Sequence, residues 1–173
     1  MLGSKKDQQV LQQQRQSQTA YLSATLVEAQ DDDVLELDEV WTFVGNKKNR
    51  VWIWLALCRR TRQVIAWHYG PRDEVSCQLL WAKVPKTYKT KMCYSDFWHS
   101  YEQVLPKEQH QACGKNEGQT NHVERFNLTL RQRVSRLVRK TLSYSKNLLC
   151  LIRHMRLFLI RYNCERRRIL ARH

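Results

Sequence analysis

The sequence lacks the patterns by which cysteine and histidine usually declare a structural role. Its six cysteines (58, 77, 93, 113, 150 and 164) include no Cys-x-x-Cys pair, so neither a zinc site nor a disulfide framework is expected, and they read as reduced thiols of a cytosolic protein. The six histidines show no His-x-x-x-His or mixed Cys/His ligand spacing. An apolar leader is missing from the N-terminus, so no secretion signal is read there. The most apolar stretch, Leu148 to Tyr162, is broken by Arg153, His154, Arg156 and Arg161. That rules out a membrane span and suits a packed amphipathic helix. The Gly114 to Thr120 segment lacks the Gly-x-x-x-x-Gly-Lys spacing of a nucleotide phosphate loop, and there are no internal repeats.

Acid is also scarce. Thirty Lys and Arg face sixteen Asp and Glu, a net charge of +14. After residue 120 the only acids are Glu124 and Glu165, set among a dense run of arginines. This asymmetry suggests a polyanionic partner, most simply nucleic acid, with a solvated basic face as the plainer alternative.

The chain is long enough for one domain with a real core. Residues 1 to 30 are polar and Gln-rich, and read as a linker or the tail of an upstream module; residues 31 to 173 read as the folded domain. From Val34 to Val44 the apolar pattern predicts a strand, ending in a polar turn at 45–49. Val51 to Cys58 and Val64 to Tyr69 predict two more, making a three-stranded antiparallel meander. Glu74 to Val84 carries the spacing of a helix, and Met92 to Tyr94 a short buried strand with Asp96 just past its end. A short helix through about Val104, then a polar loop, leads into a helix holding Glu124. On that helix Asn121, Asn127 and Arg131 share the polar side with Glu124, while Phe126, Leu130 and Val134 form the buried stripe. A last helix is expected from about Ser145 to Asn163.

Asp38, Asp96 and Glu124 are the candidate catalytic and metal-ligating residues. Hard divalent cations take oxygen ligands, and carboxylates from separate elements can hold a metal pair about 4 Å apart that activates water or a 3′-hydroxyl. Each acid also has a plainer reading: Asp38 as an outward residue of an amphipathic strand, Asp96 as a helix N-cap, and Glu124 as half of a surface ion pair with Arg125. Asp38 stands out because a charge in mid-strand is costly without a partner. Trp98, two residues past Asp96, suits either the core or stacking on a base.

Leu-Asp-Glu-Val-Trp-Thr-Phe-Val-Gly at 37–45, Ser-Asp-Phe-Trp-His-Ser-Tyr at 95–101, Val-Glu-Arg-Phe-Asn-Leu-Thr-Leu-Arg-Gln-Arg at 123–133 and Leu-Val-Arg-Lys-Thr-Leu-Ser-Tyr-Ser-Lys at 137–146 resemble the catalytic half of insertion sequence one (IS-one) family transposases. The likeness spans roughly residues 33 to 165. It implies an α/β, ribonuclease H-like mixed sheet flanked by helices, with Asp38, Asp96 and Glu124 as an Asp-Asp-Glu triad. It also implies Mg²⁺, with Mn²⁺ able to substitute, and cleavage at transposon ends followed by strand transfer into target DNA. Arg131 matches a basic residue that contacts terminal DNA in such enzymes, and Arg125 and Lys140 are further candidates for the DNA backbone. The expected partners are double-stranded DNA, further copies of the chain, and an upstream zinc-finger and helix-turn-helix module of the same element. No membrane is expected; the setting is prokaryotic, cytoplasmic and nucleoid-associated. A catalytically inactive or truncated DNA-binding regulator remains the alternative, and a nuclease acting on RNA–DNA hybrids a third reading.

Overall fold

The computed structural model describes residues 21–137 and 144–172. Residues 1–20, most of the expected linker or tail, lie outside them. Leu22 is buried in the core, and the Val27 N–H donates to Gln63 Oε1. The described elements run β1 (Val34–Val44), β2 (Asn46–Cys58), β3 (Val64–Gly70), α1 (Glu74–Lys83), β4 (Met92–Ser95), α2 (His99–Val104), β5 (His110–Ala112), α3 (Asn121–Arg133) and α4 (Leu148–Leu170).

The five strands form one sheet in the order β3-β2-β1-β4-β5. β1–β2 and β2–β3 pair antiparallel, whereas β1–β4 and β4–β5 pair parallel. The expected meander extended by parallel strands and flanked by helices is therefore present, consistent with a ribonuclease H-like α/β fold. β1 is central and covered on both sides, which explains an apolar run denser than simple alternation.

Period-2 alternation sorts the sheet into two faces. Val40, Ile53, Leu55 and Leu57 pack with Val123, Phe126 and Leu130 of α3 and Leu151, Met155 and Leu159 of α4. Leu35, Leu37, Trp54 and Ala56 pack with Cys77 and Leu80 of α1 and Tyr101 of α2. Where Leu57 faces Val64 and Ala56 faces Ala66, Ile65 is an extra residue. This bulge puts the consecutive Ile65 and Ala66 in the same cluster.

Three sequence expectations change. The polar turn at 45–49 is not a simple loop: Gly45 alone turns the chain at φ +70, Asn46 already pairs with Val44, and Lys47 to Asn49 are extra residues before Arg50 faces Phe43. Glycine suits this left-handed position. β5 was hidden in the expected loop, because three residues on a sheet edge carry too little apolar pattern to stand out. The last helix starts later and ends later than expected. Ser145 is held in a bridge to Val44, its carbonyl accepting from the Gly45 N–H, and Asn147 caps the helix by accepting from Leu149 N at 2.7 Å.

α4 is fastened to β3 by a buried amide. Asn163 Oδ1 accepts from the Val64 N–H at 2.9 Å, and Asn163 Nδ2 donates to the Val64 carbonyl at 2.9 Å and to Thr25 Oγ1. Gln63 Nε2 donates to the carbonyls of Thr25 and Asn163. Asn163→Leu removes a buried hydrogen-bond partner from both backbone groups of Val64 and from Thr25 and is expected to cost about 2–4 kcal/mol, lowering the melting temperature by roughly 5–15 °C. A calorimetric melt within about 2 °C of the wild type would contradict that role for the network.

Candidate active site

The even-numbered side chains of β1 face α3, and two of them fix its position. Glu36, fully buried, accepts from the first-turn N–H groups of His122 (2.9 Å) and Val123 (3.0 Å). Its other oxygen takes His122 Nδ1 at 2.6 Å and Arg59 Nε at 2.8 Å. A carboxylate from the sheet thus caps the positive end of the helix dipole. Thr120, at the usual cap position, makes no side-chain cap; its hydroxyl donates to Glu124 Oε1 at 2.8 Å instead. Two residues along β1, Asp38 Oδ2 accepts from Asn127 Nδ2 at 2.6 Å. Glu124 lies between these two attachments.

β4 pairs with β1 only as far as Glu36, so Asp96 falls just past the carboxyl end of a parallel strand, where open α/β sheets place their ligand crevice. Its Oδ1 accepts from the Trp98 N–H at 3.1 Å. Because α2 begins only at His99, with Trp98 at the cap position, Asp96 is not that helix's N-cap. Asp38, Asp96 and Glu124 line one cavity of about 250 Å³, together with Glu39, Arg72, Trp52 and Thr120. One oxygen from each of Asp38, Glu39 and Asp96 lies within 4.8 Å of the others.

The two neighbouring acids of β1 differ in their compensation. Glu39 points to the opposite face, where its Oε2 accepts from the Tyr101 hydroxyl (2.7 Å) and its Oε1 from Arg72 Nε (2.6 Å). Arg72 lies over the rings of Trp98 (3.9 Å to the centroid) and Trp52 (4.9 Å), and its Nη2 is 3.7 Å from Asp96 Oδ2. Burial pushes the Glu39 carboxyl up, while Tyr101 and Arg72 hold it down. Asp38 has a neutral amide as its hydrogen-bond partner. Burial first, then the charges of Glu39, Asp96 and Glu124, push its carboxyl up to about 7.

The remaining expected residues are scattered. Trp98 flanks Asp96, packs against the core cluster and holds Arg72. Arg125 is exposed and lines a second cavity that Glu124 also lines. Arg131, half-buried on α3, lines neither cavity, and Lys140 lies outside the described residues. Glu124 and Arg125 form no ion pair among the described contacts.

A family model described as IS1 transposase matches residues 34–159, a span that contains all three acids. The chain belongs to the IS1 transposase family. It is 41% identical over 114 residues to the insertion element iso-IS1n protein InsB of Shigella dysenteriae, covering 66% of this chain and 84% of that relative. It is 34% identical over 112 residues to an IS1 InsB of Shigella flexneri, covering 65% and 82%. To the InsB of IS1 4 from Escherichia coli K12 it is 33% identical over 112 residues, covering 65% of each. The protein is therefore a DNA transposase, an enzyme that binds and cleaves DNA. Among the described residues, no helix is long and apolar enough to cross a membrane.

Reasoning from the sequence passed over Glu36, Glu39 and Arg72, and placed Asn127 on the Glu124 side of its helix without giving it a role. A signal existed for the first two: they are acids within a strand that is apolar on both faces, and so need partners. Their partners come from distant segments, which no local spacing reveals.

Asp38 yields a pH test. Between its ordinary value of 3.8 and about 7, the folded protein keeps a proton that the unfolded chain has lost. The stability this provides is fully present below the ordinary value and disappears as pH rises through about 7. In chelator, Asp38→Asn is expected to match the wild type near pH 4 and to exceed it by a few kcal/mol, on the order of 1–4, near pH 8. Thermal melts showing a pH-independent difference would contradict the assigned origin of the shift.

Proposed function

We propose that this transposase is of the Asp-Asp-Glu type, using Mg²⁺, with Mn²⁺ able to substitute, to cleave at transposon ends and join the freed 3′-hydroxyl to target DNA. The observation that carries the proposal is the gathering of Asp38, Asp96 and Glu124 around one cavity, with Asp38 destabilised as an anion by burial and by the other acids. The donors fit a hard cation: oxygens of Asp38 and Asp96, with one of Glu39, lie within 4.8 Å of one another, and Glu124 lines the same cavity. A bound divalent ion supplies Lewis-acid polarisation and a nucleophile active at neutral pH.

The chain's own residues supply the geometry. Asp38 and Asp96 flank the cation position from β1 and the end of β4, and Glu124 closes it from α3, oriented by the Thr120 hydroxyl. Water attacks the phosphorus at the transposon end and breaks its bond to the 3′-oxygen, which leaves as the 3′-hydroxyl. In strand transfer that hydroxyl attacks a target phosphodiester and displaces the target strand's own 3′-oxygen, the proton passing to the departing oxygen. Arg72, fixed by Glu39, places a cation beside Asp96, where phosphate charge accumulates. Arg131, Arg125 and Lys140 hold the DNA backbone and make affinity salt-dependent, and Trp98 offers a ring beside the cleavage point. End recognition comes from an upstream zinc-finger and helix-turn-helix module, and the active species is an oligomer on DNA, working in the cytoplasm at the nucleoid.

The test is nicking of supercoiled plasmid with Mg²⁺ or Mn²⁺. Wild type is expected to nick, and Asp96→Asn to lose at least about a hundredfold in rate while keeping DNA affinity. If wild type and Asp96→Asn bind DNA alike and neither nicks, the chain is a DNA-binding regulator. Preferential cutting of an RNA–DNA hybrid over duplex transposon ends would also overturn the proposal.

A further inference from the structure

Glu124 lines two cavities. Beyond the acidic one lies an open basin of about 810 Å³ whose walls carry Arg62, Arg125 and Arg166, with His122 and Asn121 at the start of α3. We propose that this basin is a phosphate-binding subsite that grips the DNA backbone immediately next to the cleavage site. The proposal rests on the transposase site described above and adds the direction in which the strand leaves it.

Three independent features support it. Arg62 sits in the turn between β2 and β3 at φ +59, the one non-glycine residue with a positive φ among those described. A left-handed backbone is strained for an arginine and is held here by its N–H donating to the Cys58 carbonyl at 2.9 Å. The same turn anchors the second arginine, because Arg166 Nε donates to the Thr61 carbonyl at 3.2 Å. The end of α4 is thereby fastened beside Arg62, and Arg125 projects from the exposed side of α3 next to Glu124.

The second feature is crowding of like charge. Burial lowers the proton affinity of Arg62 most, Glu36 opposes it, and the charges of Arg166 and Arg125 lower it further. Glu36 serves Arg59 and His122 as well and lies behind the basin rather than on its wall. Three guanidinium groups against Glu124 leave its wall net positive. The third feature is form. Arginines spread over a solvated face would minimise repulsion, but these are gathered into a concavity that shares the Glu124 wall with the cavity of the acids. A phosphodiester backbone crossing from one cavity to the other relieves the repulsion and meets the planar donors that suit phosphate.

The experiment measures binding of a fluorescein-labelled duplex of about 30 base pairs as a function of salt. Arg62→Gly removes the charge where glycine fits the backbone better than arginine, so its melting temperature should hold or rise. The double variant Arg62→Gly/Arg166→Gln is expected to reduce the slope of log K against log salt by about 1.8. Arg62→Lys/Arg166→Lys should retain most of the slope, and Arg153→Gln, exposed on α4 and outside the basin, should lower it by no more than a generic surface charge. The proposal is overturned if the folded double variant keeps the wild-type slope, or if Arg153→Gln lowers the slope as much as the double variant does. Plasmid nicking by the wild type is scored separately. Binding without nicking removes the active-site reading, while the slope comparison still decides the subsite.

Discussion

One buried carboxylate organises the end of this protein that carries the candidate active site. Glu36 lies at the centre of the sheet, out of contact with water, where an unpaired charge would cost several kcal/mol. Every partner it uses comes from a different segment: Arg59 from the end of β2, and the backbone and imidazole of His122 with the backbone of Val123 from the first turn of α3. Arg59 also donates to the carbonyl and side chain of Gln119, in the approach to that helix. The result locks β1, β2 and α3 to one another, and the angular position of Glu124 follows from it.

The neighbouring acids share the crevice and have opposite roles because they point to opposite faces of one strand. Glu39 is fully engaged by Tyr101 and Arg72, and its effect reaches the cavity through the guanidinium it holds between two tryptophans. Asp38 is left with an amide partner and three acidic neighbours, an arrangement that reduces stability when all are ionised. Such local cost is typical of sites shaped for a ligand. A divalent cation is the simplest species that removes it, and the basic basin beyond Glu124 suits the backbone charge of the DNA the enzyme acts on.

Much of this was legible in the sequence where the physics is local. The three strands of the meander, the helix at 74, the strand before Asp96 and the amphipathic helix of Glu124 all announce themselves through periods of two or 3.6 residues. The three acids were legible through motif context. What stayed hidden is non-local: β5 is an edge strand too short to carry a pattern, and Asn163 reads as an ordinary polar residue until its amide is seen bridging Val64. Glu36 and Arg72 gain meaning only when the sheet brings their partners together. Arg62 carries no local signal either, because its left-handed backbone is imposed by the hairpin and not by its own preference.

The most direct test of this organisation is Mn²⁺ affinity, measured by calorimetry on wild type, Glu124→Gln and Glu36→Gln. Glu36 is no part of the proposed cation site, yet weakening its hold on α3 should misplace Glu124, so a folded Glu36→Gln protein is expected to lose about 10- to 100-fold in affinity, approaching Glu124→Gln. Wild-type Mn²⁺ affinity in a folded Glu36→Gln protein would contradict the dependence of the site on that anchor.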